Sequence, residues 1–443
     1  MKRRYRSVLL ENVDRAKLSA AVGGKRVVFG VDVAKQRLFG ALAVVGSSEV
    51  AVGRPEVVLT IEWQAPGQMR ALVDLLRELP VQAVEVAMEP SGSYGDALRG
   101  LLTRAGVPVY RVSPKRCHDA AEVYDGVPSQ HDAKDAAIIA KLHLDGASGR
   151  WREPSERERE LAAAVETMTL FDEQYGRVLN RIEAKLACHW PELPEVLTLN
   201  SATLLELVAA FGSPAEAAAR SEQAVALMCR IGRQVLDRNK PELVVGQARN
   251  SIGVAMTDPE RRAFVELARE ALRLREAAHR AKVEVERLSE QHEDLERMAS
   301  AVGKTTAAVL LVSLGEPASY ASAGAYVKAC GLNLKERSSG KHKGQLGITK
   351  RGPGGARRYL YLAVLRLIQG DAFFKAWYKR KVERDGGKVK VKAIVALMRK
   401  LLRALWHVGR GARFDAAKLF DTSALELEPL AVDTTRPALA ARL

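Results

Sequence analysis

The chain has 443 residues, which is too many for one hydrophobic core and predicts two or three domains. Hydrophobic residues make up 47% and charged residues 28%, a balance typical of a soluble globular protein. No apolar run is long enough for a membrane span, and the N-terminus lacks a signal-peptide pattern. Four scattered cysteines without a CxxC pair argue against a zinc site or a disulfide framework. A protein of a reducing cytoplasm is therefore expected.

The net charge of +16 is concentrated in one segment. Residues 331–410 contain 21 Lys or Arg and 4 Asp or Glu, a local net charge of +17. Such a concentration predicts binding to a polyanion through neutralisation of its phosphates. A solvated basic surface without a ligand is the alternative that charge alone leaves open.

The first part of the chain is predicted to be an α/β domain, residues 26–150, after an N-terminal extension, residues 1–25. Three β-rich runs come first, and helices and strands then alternate, which indicates a mixed sheet. The predicted strands are 26–33, 39–45, 56–63, 83–88 and 107–112, and the predicted helices are 68–78, 94–105 and 133–144.

The middle of the chain, residues 151–299, is predicted to be helical. A long helix is expected over 156–190, followed by short helices over 191–255 in which we find no chemistry. Apolar residues keep a strict 3-4 spacing over 260–299, which predicts a coiled coil. Its apolar seam packs either on a second chain, giving a homodimer or tetramer, or on the 156–190 helix of the same chain.

The C-terminal part is predicted to be a basic, mainly helical domain, residues 300–413, followed by a weakly ordered tail, residues 414–443. A Gly-rich polar loop is expected over 338–355. Gly303-Lys304-Thr305 superficially suggests a phosphate-binding P-loop. Met298 stands where the first glycine belongs, however, so ATP binding is not expected there.

Four carboxylates stand out because of their positions in the predicted elements. Asp32 lies in an apolar strand, where an ionised group is costly unless it is paired or binds a metal. Glu89 ends a second apolar run, and Asp132 and Asp135 are three residues apart at the start of a helix. Together they predict a site for Mg²⁺ or Mn²⁺ that acts on a phosphodiester. Each acid alone has a structural alternative, such as Asp132 favouring the helix dipole.

Several stretches carry a family resemblance. GVDVAK (30–35), EPSGSY (89–94), GVPVYRVSPKR (106–116) and HDAKDA (131–136) resemble the motifs of DEDD insertion-sequence transposases, whose N-terminal domain is RuvC-like, of the ribonuclease H class. Residues 325–366 and KAIVALMRKLLRALW (392–406) resemble the C-terminal half of the insertion-sequence one-ten group. The order of these motifs along most of the chain is specific.

The resemblance implies a function and a set of site residues. Asp32, Glu89, Asp132 and Asp135 match the metal-binding carboxylates, and Ser339 matches the nucleophilic serine, with Ser338 as the neighbouring alternative. The family implies a covalent protein–DNA intermediate, double-stranded DNA partners (element ends and target), and a structured bridge RNA as guide. It also implies that the carboxylates of one subunit act with the serine of another. The cations expected to contact nucleic acid are Lys335, Arg337, Lys341, Lys343, Lys350, Arg351, Arg357 and Arg358.

Two other interpretations fit the same residues. A RuvC-like nuclease or resolvase would cut DNA with metal-activated water, and Ser339 would be an ordinary loop residue. A non-catalytic nucleic-acid-binding assembly protein would tolerate loss of Asp32 or Glu89 without any effect beyond binding.

Overall fold

The computed structural model describes residues 6–44, 56–90, 92–124, 126, 131–233, 236–237, 239–290, 292–339, 342–387 and 389–427. For residues 337–339, 342–343 and 345 it describes the backbone alone. The chain forms two compact units, Met1–Glu153 and Pro154–Leu443.

A seven-stranded mixed sheet organises the first unit, as the alternation of predicted strands and helices indicated. In spatial order the strands run β1-β4-β3-β2-β5-β6-β7. β2 pairs in parallel with β5 and antiparallel with β3, and β5 pairs in parallel with β6. The strands are β1 (Ser7–Leu9), β2 (Arg26–Asp32), β3 (Arg37–Val44), β4 (Glu56–Gln64), β5 (Ala83–Met88), β6 (Val109–Val112) and β7 (Ser148–Arg150).

Helices cover both faces of this sheet, because its central strands are apolar on both sides. One face packs against α2 and α3 through residues that include Phe29 and Val31 of β2. The other face packs against α5, where Val28 contacts Ala140. The helices are α1 (Arg15–Val22), α2 (Met69–Glu78), α3 (Asp96–Arg104), α4 (Pro114–Asp119) and α5 (Asp132–Leu144).

The N-terminal residues, expected to be an extension, contribute to this unit. β1 pairs in parallel with β4, which places Val8 opposite Ile61. Leu18 and Val22 of α1 are buried in the same core as β2. The segment therefore completes one edge of the sheet.

The second unit is mainly helical, and none of its described helices, nor any in the first unit, is long and apolar enough to cross a membrane. Its helices are α6 (Glu156–His189), α7 (Leu193–Val196), α8 (Ala202–Phe211), α9 (Pro214–Ala219), α10 (Ser221–Gly232), α11 (Lys240–Arg249), α12 (Asp258–Ser289), α13 (Glu293–Val302), α14 (Lys304–Leu314), α15 (Ala323–Ala329), α16 (Gly354–Gly370), α17 (Ala372–Arg384) and α18 (Lys390–Val408). A hairpin of β8 (Leu334–Ser339) and β9 (His342–Ile348) lies between α15 and α16.

The long helices α6 and α12 pack against each other and join two hydrophobic cores. The N-terminal part of α6 and the C-terminal part of α12 belong to a core shared with α13 to α18. Their other ends belong to a core shared with α8, α10 and α11. The two helices therefore run antiparallel, each about 50 Å long at a rise of about 1.5 Å per residue.

This packing decides how the predicted coiled-coil seam is filled. Seam residues such as Phe264, Leu274 and Val285 are buried within the chain, in agreement with the in-chain alternative. The predicted continuous helix is also interrupted, since α12 ends at Ser289 and α13 begins at Glu293. A two-chain coiled coil would need these side chains exposed, so the predicted coiled coil is not confirmed.

The residues between α6 and α12 form a closed helical tip, that is, a group of helices whose two ends lie next to each other. The five short helices α7 to α11 confirm the prediction for 191–255. The imidazole of His189 contacts the carbonyl oxygen of Val254 at 2.8 Å, and the N–H of Val254 donates to the carbonyl of Cys188 at 2.9 Å. The end of α6 and the segment that leads into α12 are therefore neighbours.

The structure of the C-terminal region differs from two predictions, the loop over 338–355 and the tail over 414–443. The expected loop over 338–355 is wrong for residues 338–339, which end β8, for residues 342–348, which pair with β8 as a strand, and for residues 354–355, which begin α16. Residues 414–427, included in the predicted tail, lie against the helices of this unit. Phe420 is buried there, and its ring packs against Phe374 and Trp377.

Candidate active site

Asp32 and Glu89 lie side by side at the carboxyl ends of two parallel strands. Val31 of β2 is in register with Met88 of β5, and each of the two is followed by an acid, Asp32 after Val31 and Glu89 after Met88. Side chains alternate between the two faces of a sheet. Val31 and Met88 belong to the core on the α2–α3 face. Asp32 is therefore on the α5 face, the face onto which Glu89 would also project.

Helix α5 brings the second pair of carboxylates to that face. Asp132 and Asp135 occupy its first turn, and His131 caps it by accepting the N–H of Lys134. A close approach of α5 to β2 requires Gly30, because an added Cβ there would lie 2.3 Å from the carbonyl oxygen of Ala136. The glycine of GVDVAK therefore sets the helix against the strand that carries Asp32.

The ionisation of Asp32 reflects this convergence. Burial raises its pKa from 3.8 to about 7, and the charges of Asp135, Asp132 and Glu89 act in the same direction, against a hydrogen bond from the N–H of Val33. Charges affect a pKa in this way when they are close in space. The four carboxylates predicted from the sequence are thus brought together by the fold.

Asp135 shows the same surroundings from the helix side. Burial raises its pKa, as do the charges of Asp132 and Glu89, whereas the neighbouring His131 and Lys134 lower it. The net change is upward. Lys134 is only 1% exposed, so a buried ammonium group stands beside the acids and offsets part of their repulsion.

Cys117 is a neighbour of the cluster that the sequence analysis missed. This buried thiol in α4 hydrogen-bonds to Glu89. Burial, followed by the charge and hydrogen bond of Glu89, raises its pKa to about 12, so it is a neutral donor. The stretch GVPVYRVSPKR directly precedes it, but only the packing of α4 on α5 could have identified the contact.

Two arginines line a small cleft beside Glu89. Arg99 and Arg111 border this cleft, and both guanidinium groups lie over the ring of Trp151, at 3.8 and 4.7 Å from its centroid. Stacking on an aromatic ring holds a guanidinium in place. The acidic site thus has cations at its border.

The carboxylates are close without forming a ready metal cage. No group of three or more His, Cys, Asp or Glu among the described residues has its ligand atoms arranged to hold an ion. The charges of three acids act on the pKa of Asp32, which indicates that these acids are near it. A metal cage requires more, namely ligand oxygens close enough to contact the same ion. The two observations agree physically, because like charges keep apart unless a cation draws them in. The donor set itself, all carboxylate oxygen, fits Mg²⁺ or Mn²⁺.

The predicted nucleophile lies in the second unit, on the β8–β9 hairpin. Ser339 is the last residue of β8 and pairs with His342, next to an irregularity between Arg337 and Ser339. The neighbouring Ser338 is in the same strand. The serine is therefore at the turn of a hairpin. The structure does not describe the orientation of its side chain.

The predicted nucleic-acid-binding cations are spread over the hairpin and the start of α16. Lys335, Lys350, Arg351 and Arg358 are exposed. Arg357 is used within the protein, since its Nη1 donates to the carbonyls of Cys330 (3.1 Å) and Gly352 (2.8 Å). Lys341 lies outside the described residues, as do the side chains of Arg337 and Lys343.

Comparison with known proteins identifies the family. Residues 29–191 match a DEDD-type model named for IS110 and described as "Transposase". Residues 295–379 match a model described as "Transposase IS116/IS110/IS902 family". The chain belongs to the IS110 transposase family. It is therefore a transposase, an enzyme that cleaves and rejoins DNA. The two matched segments of this IS110 transposase contain all four carboxylates and Ser339.

One relative and two solved structures describe the extent of the likeness. A protein of Streptomyces coelicolor, "Insertion element IS110 uncharacterized 43.6 kDa protein", is 25% identical over 367 residues, 80% of this IS110 transposase and 88% of that protein. RuvC from Thermus thermophilus is 18% identical, with a TM-score of 0.23, over 28% of this chain and 99% of RuvC. The same RuvC with a Holliday junction substrate gives a TM-score of 0.22 over the same shares.

Proposed function

We propose that this IS110 transposase cuts DNA with Ser339 as nucleophile while Asp32, Glu89, Asp132 and Asp135 hold divalent ions beside the scissile phosphate. The observation that carries the proposal is the convergence of the four carboxylates, expressed in the raised pKa of Asp32. Like charges held together in this way, with Asp32, Glu89 and Asp135 partly buried and Asp132 exposed, are costly for the fold unless cations compensate them. When bound, Mg²⁺ or Mn²⁺ would stabilise charge on the phosphate and on the leaving oxygen.

The serine step is a transfer at phosphorus. The Ser339 oxygen gives up its proton and forms a bond to phosphorus, and the bond from phosphorus to one DNA oxygen breaks. That leaving oxygen takes up a proton, so the first strand ends in a free hydroxyl. A hydroxyl of the recombining strand then attacks phosphorus and releases Ser339. The phosphodiester is conserved, and no high-energy cofactor is required.

The basic surroundings of the hairpin support this role for Ser339. Lys335, Lys350 and Arg351 are exposed on or next to the hairpin, where they can attract a DNA phosphate. A hydroxyl is a weak nucleophile at neutral pH, and cationic surroundings favour its ionised form. RNA guidance also belongs to the proposal, because the net charge of +17 over 331–410 can serve a structured RNA together with DNA.

Covalent trapping tests the nucleophile. The full chain, expressed together with its gene's flanking DNA, is incubated with labelled DNA from those flanks and analysed on a denaturing gel. We expect a protein-linked DNA band, which Ser339→Ala abolishes and Ser338→Ala preserves. Nuclease digestion and mass spectrometry should then locate the nucleotide on the peptide that contains Ser339.

The other outcomes separate the competing mechanisms. If Ser339→Ala cuts and rejoins DNA normally, metal-activated water does the cutting and the serine proposal is wrong. Asp32→Ala and Glu89→Ala should abolish cutting under either mechanism. If both variants cut normally, the carboxylates have no catalytic role. RNA of defined length that co-purifies with the chain would support RNA guidance, and full activity after ribonuclease treatment would contradict it.

A further inference from the structure

A cavity lies outside the site described above, between the C-terminal half of α18 and the segment that follows it. Its volume is about 470 Å³, and its lining runs from Lys400 of α18 to Leu419. The size falls in the range of cavities that hold small organic ligands. These residues lie beyond 295–379 and 29–191, the segments that the family models match. We call it the α18 cavity.

Positive charge dominates the lining of the α18 cavity. Lys400, Arg403, Arg413 and Lys418 contribute four cations, and Asp415 is the one acid among the described lining residues. One carboxylate oxygen of Asp415 already accepts the N–H of Ala417 at 3.0 Å. Unlike the extended basic surface of the hairpin, these cations converge on one concave space. The ligand that such a space favours carries negative charge.

The wall of the cavity is built by specific contacts. The ammonium group of Lys400 donates to the carbonyl of Leu419 at 2.9 Å and lies 5.5 Å from the centroid of the Phe420 ring and 5.7 Å from that of Trp377. Burial, followed by the charge of Arg403, lowers the pKa of Lys400. Phe420 is itself buried against α17. The segment that closes the cavity is therefore fixed to the helices, so the concavity belongs to the fold.

The lining also has an apolar part that a bare phosphate would leave unfilled. Ala404 and Val408 of α18 line the space together with Phe414. A ligand with both a flat apolar part and an anionic part matches this lining. A nucleotide has both, and aromatic side chains commonly stack on unpaired bases. A closed duplex keeps its bases inside the helix and offers only its outer phosphates, so it cannot enter.

We propose that the α18 cavity holds one unpaired nucleotide of a nucleic acid strand, with its phosphate between Arg403 and Arg413 and its base against Phe414. Such a nucleotide occurs at the end of a strand, or where a strand leaves a duplex during cutting and exchange. The proposal rests on the chain acting on nucleic acid. It does not depend on Ser339 or on the carboxylates.

Binding of two matched probes tests the cavity. The full chain is titrated, in a buffer without divalent ions, against a fluorescently labelled blunt DNA duplex and against the same duplex with a short single-stranded overhang. The wild type should bind the overhang duplex more tightly than the blunt duplex. Arg403→Ala/Arg413→Ala should weaken binding of the overhang duplex about tenfold. Affinity for the blunt duplex should change by less than about twofold.

Control variants separate a cavity from a general charge effect. Arg230→Ala/Arg249→Ala removes the same charge from exposed positions of the same unit that do not line the cavity, and it should leave both affinities unchanged. Asp415→Asn keeps the acceptor for Ala417 and should tighten overhang binding. Thermal unfolding of each variant checks that the fold is intact.

The base contact has its own test. Phe414→Ala should weaken binding of the overhang, and the loss should disappear when the overhang consists of abasic nucleotides. Equal losses for the blunt and overhang probes in Arg403→Ala/Arg413→Ala would overturn the proposal, because they would indicate a plain electrostatic surface. An overhang preference that survives these substitutions would overturn it as well. Failure of the Ser339 trapping experiment would leave this binding test unaffected.

Discussion

At the scale of single residues, Asp32 shows how the fold changes the ionisation of an acid in the candidate site. Its carboxyl group is partly buried and faces three other acids, and burial together with their charges raises its pKa to about 7. A pKa above the unfolded value means that the folded state binds the proton more tightly. Stability then falls as pH rises from about 4 to about 7, because the unfolded state releases this proton in that range while the folded state retains it.

Asp32→Asn should therefore stabilise the metal-free protein at about pH 8, where the wild-type carboxyl group is ionised in both states. We expect a gain of roughly 1–3 kcal/mol in the free energy of unfolding, after allowance for solvent screening. The gain should shrink towards about pH 4, where the wild-type carboxyl group is protonated in the folded state. Urea denaturation with chelator present, at several pH values, measures it.

Addition of Mg²⁺ provides the control for that prediction. The ion should raise the stability of the wild type at about pH 8, since ligands that bind only the folded state stabilise it. Asp32→Asn should gain much less. A wild type and variant that respond equally to Mg²⁺ would contradict the assignment of Asp32 as a ligand.

The sequence singled out the four candidate acids because their positions in the predicted elements follow from local pattern. A strand-end acid, a second one and a helix-start pair can be recognised from alternation and spacing alone. Cys117 and Lys134 could not be predicted in this way. Their importance comes from the packing of α4 and α5 on the sheet, which joins residues distant in sequence.

At the scale of elements, long apolar segments were predicted well and short or polar ones were not. β5 agrees with the predicted strand, and α6 begins at the predicted residue, Glu156, which follows a capping box formed by Ser155. β1 and β7 have three residues each, too few for a pattern. The β8–β9 hairpin was predicted as a loop because glycines and polar residues interrupt it. Its strand character comes from cross-strand pairing, which local propensity does not capture.

The α6–α12 pair leads to a prediction at the same scale. Leu288→Ala should lower the free energy of unfolding by about 2–4 kcal/mol, because it opens a cavity in the core that α12 shares with α6. Glu276→Ala, which removes an exposed ion pair with Arg280, should cost less than about 1 kcal/mol. Denaturant titration measures both values.

The oligomeric state of Leu288→Ala tests the same packing in a second way. Because the seam is closed within the chain, Leu288→Ala should leave the sedimentation behaviour of the native protein unchanged. If the variant instead dissociates an oligomer while the stability of each chain is preserved, then the seam is an interface between chains, as the other sequence-based alternative held.

At the scale of the whole molecule, charge is distributed unevenly along the chain. The segment 331–410 alone carries a net charge of +17, in the unit that contains Ser339. The four carboxylates lie in the other unit. We therefore expect recognition of the phosphate backbone mainly in the second unit, and the proposed metal chemistry in the first.

Salt dependence measures the contribution of this segment. The logarithm of the DNA-binding constant should fall linearly with the logarithm of salt concentration. Lys350→Ala/Arg351→Ala should reduce the slope by about 2, since each phosphate that a cation neutralises contributes about 0.9. Arg230→Ala/Arg249→Ala should keep the wild-type slope. An unchanged slope in Lys350→Ala/Arg351→Ala would show that these two exposed cations do not bind phosphate.

The closed helical tip has a consequence for how such a chain can change over time. Its first and last residues touch, since His189 and Val254 are hydrogen-bonded at the base. The chain thus departs from and returns to one location, while the helices in between share a hydrophobic core with the adjoining ends of α6 and α12. A module exchanged at that base would keep both junctions in place, provided that it packs on the same apolar helix ends. We therefore expect this segment to tolerate changes of length between its junctions better than changes of the apolar residues that contact α6 and α12.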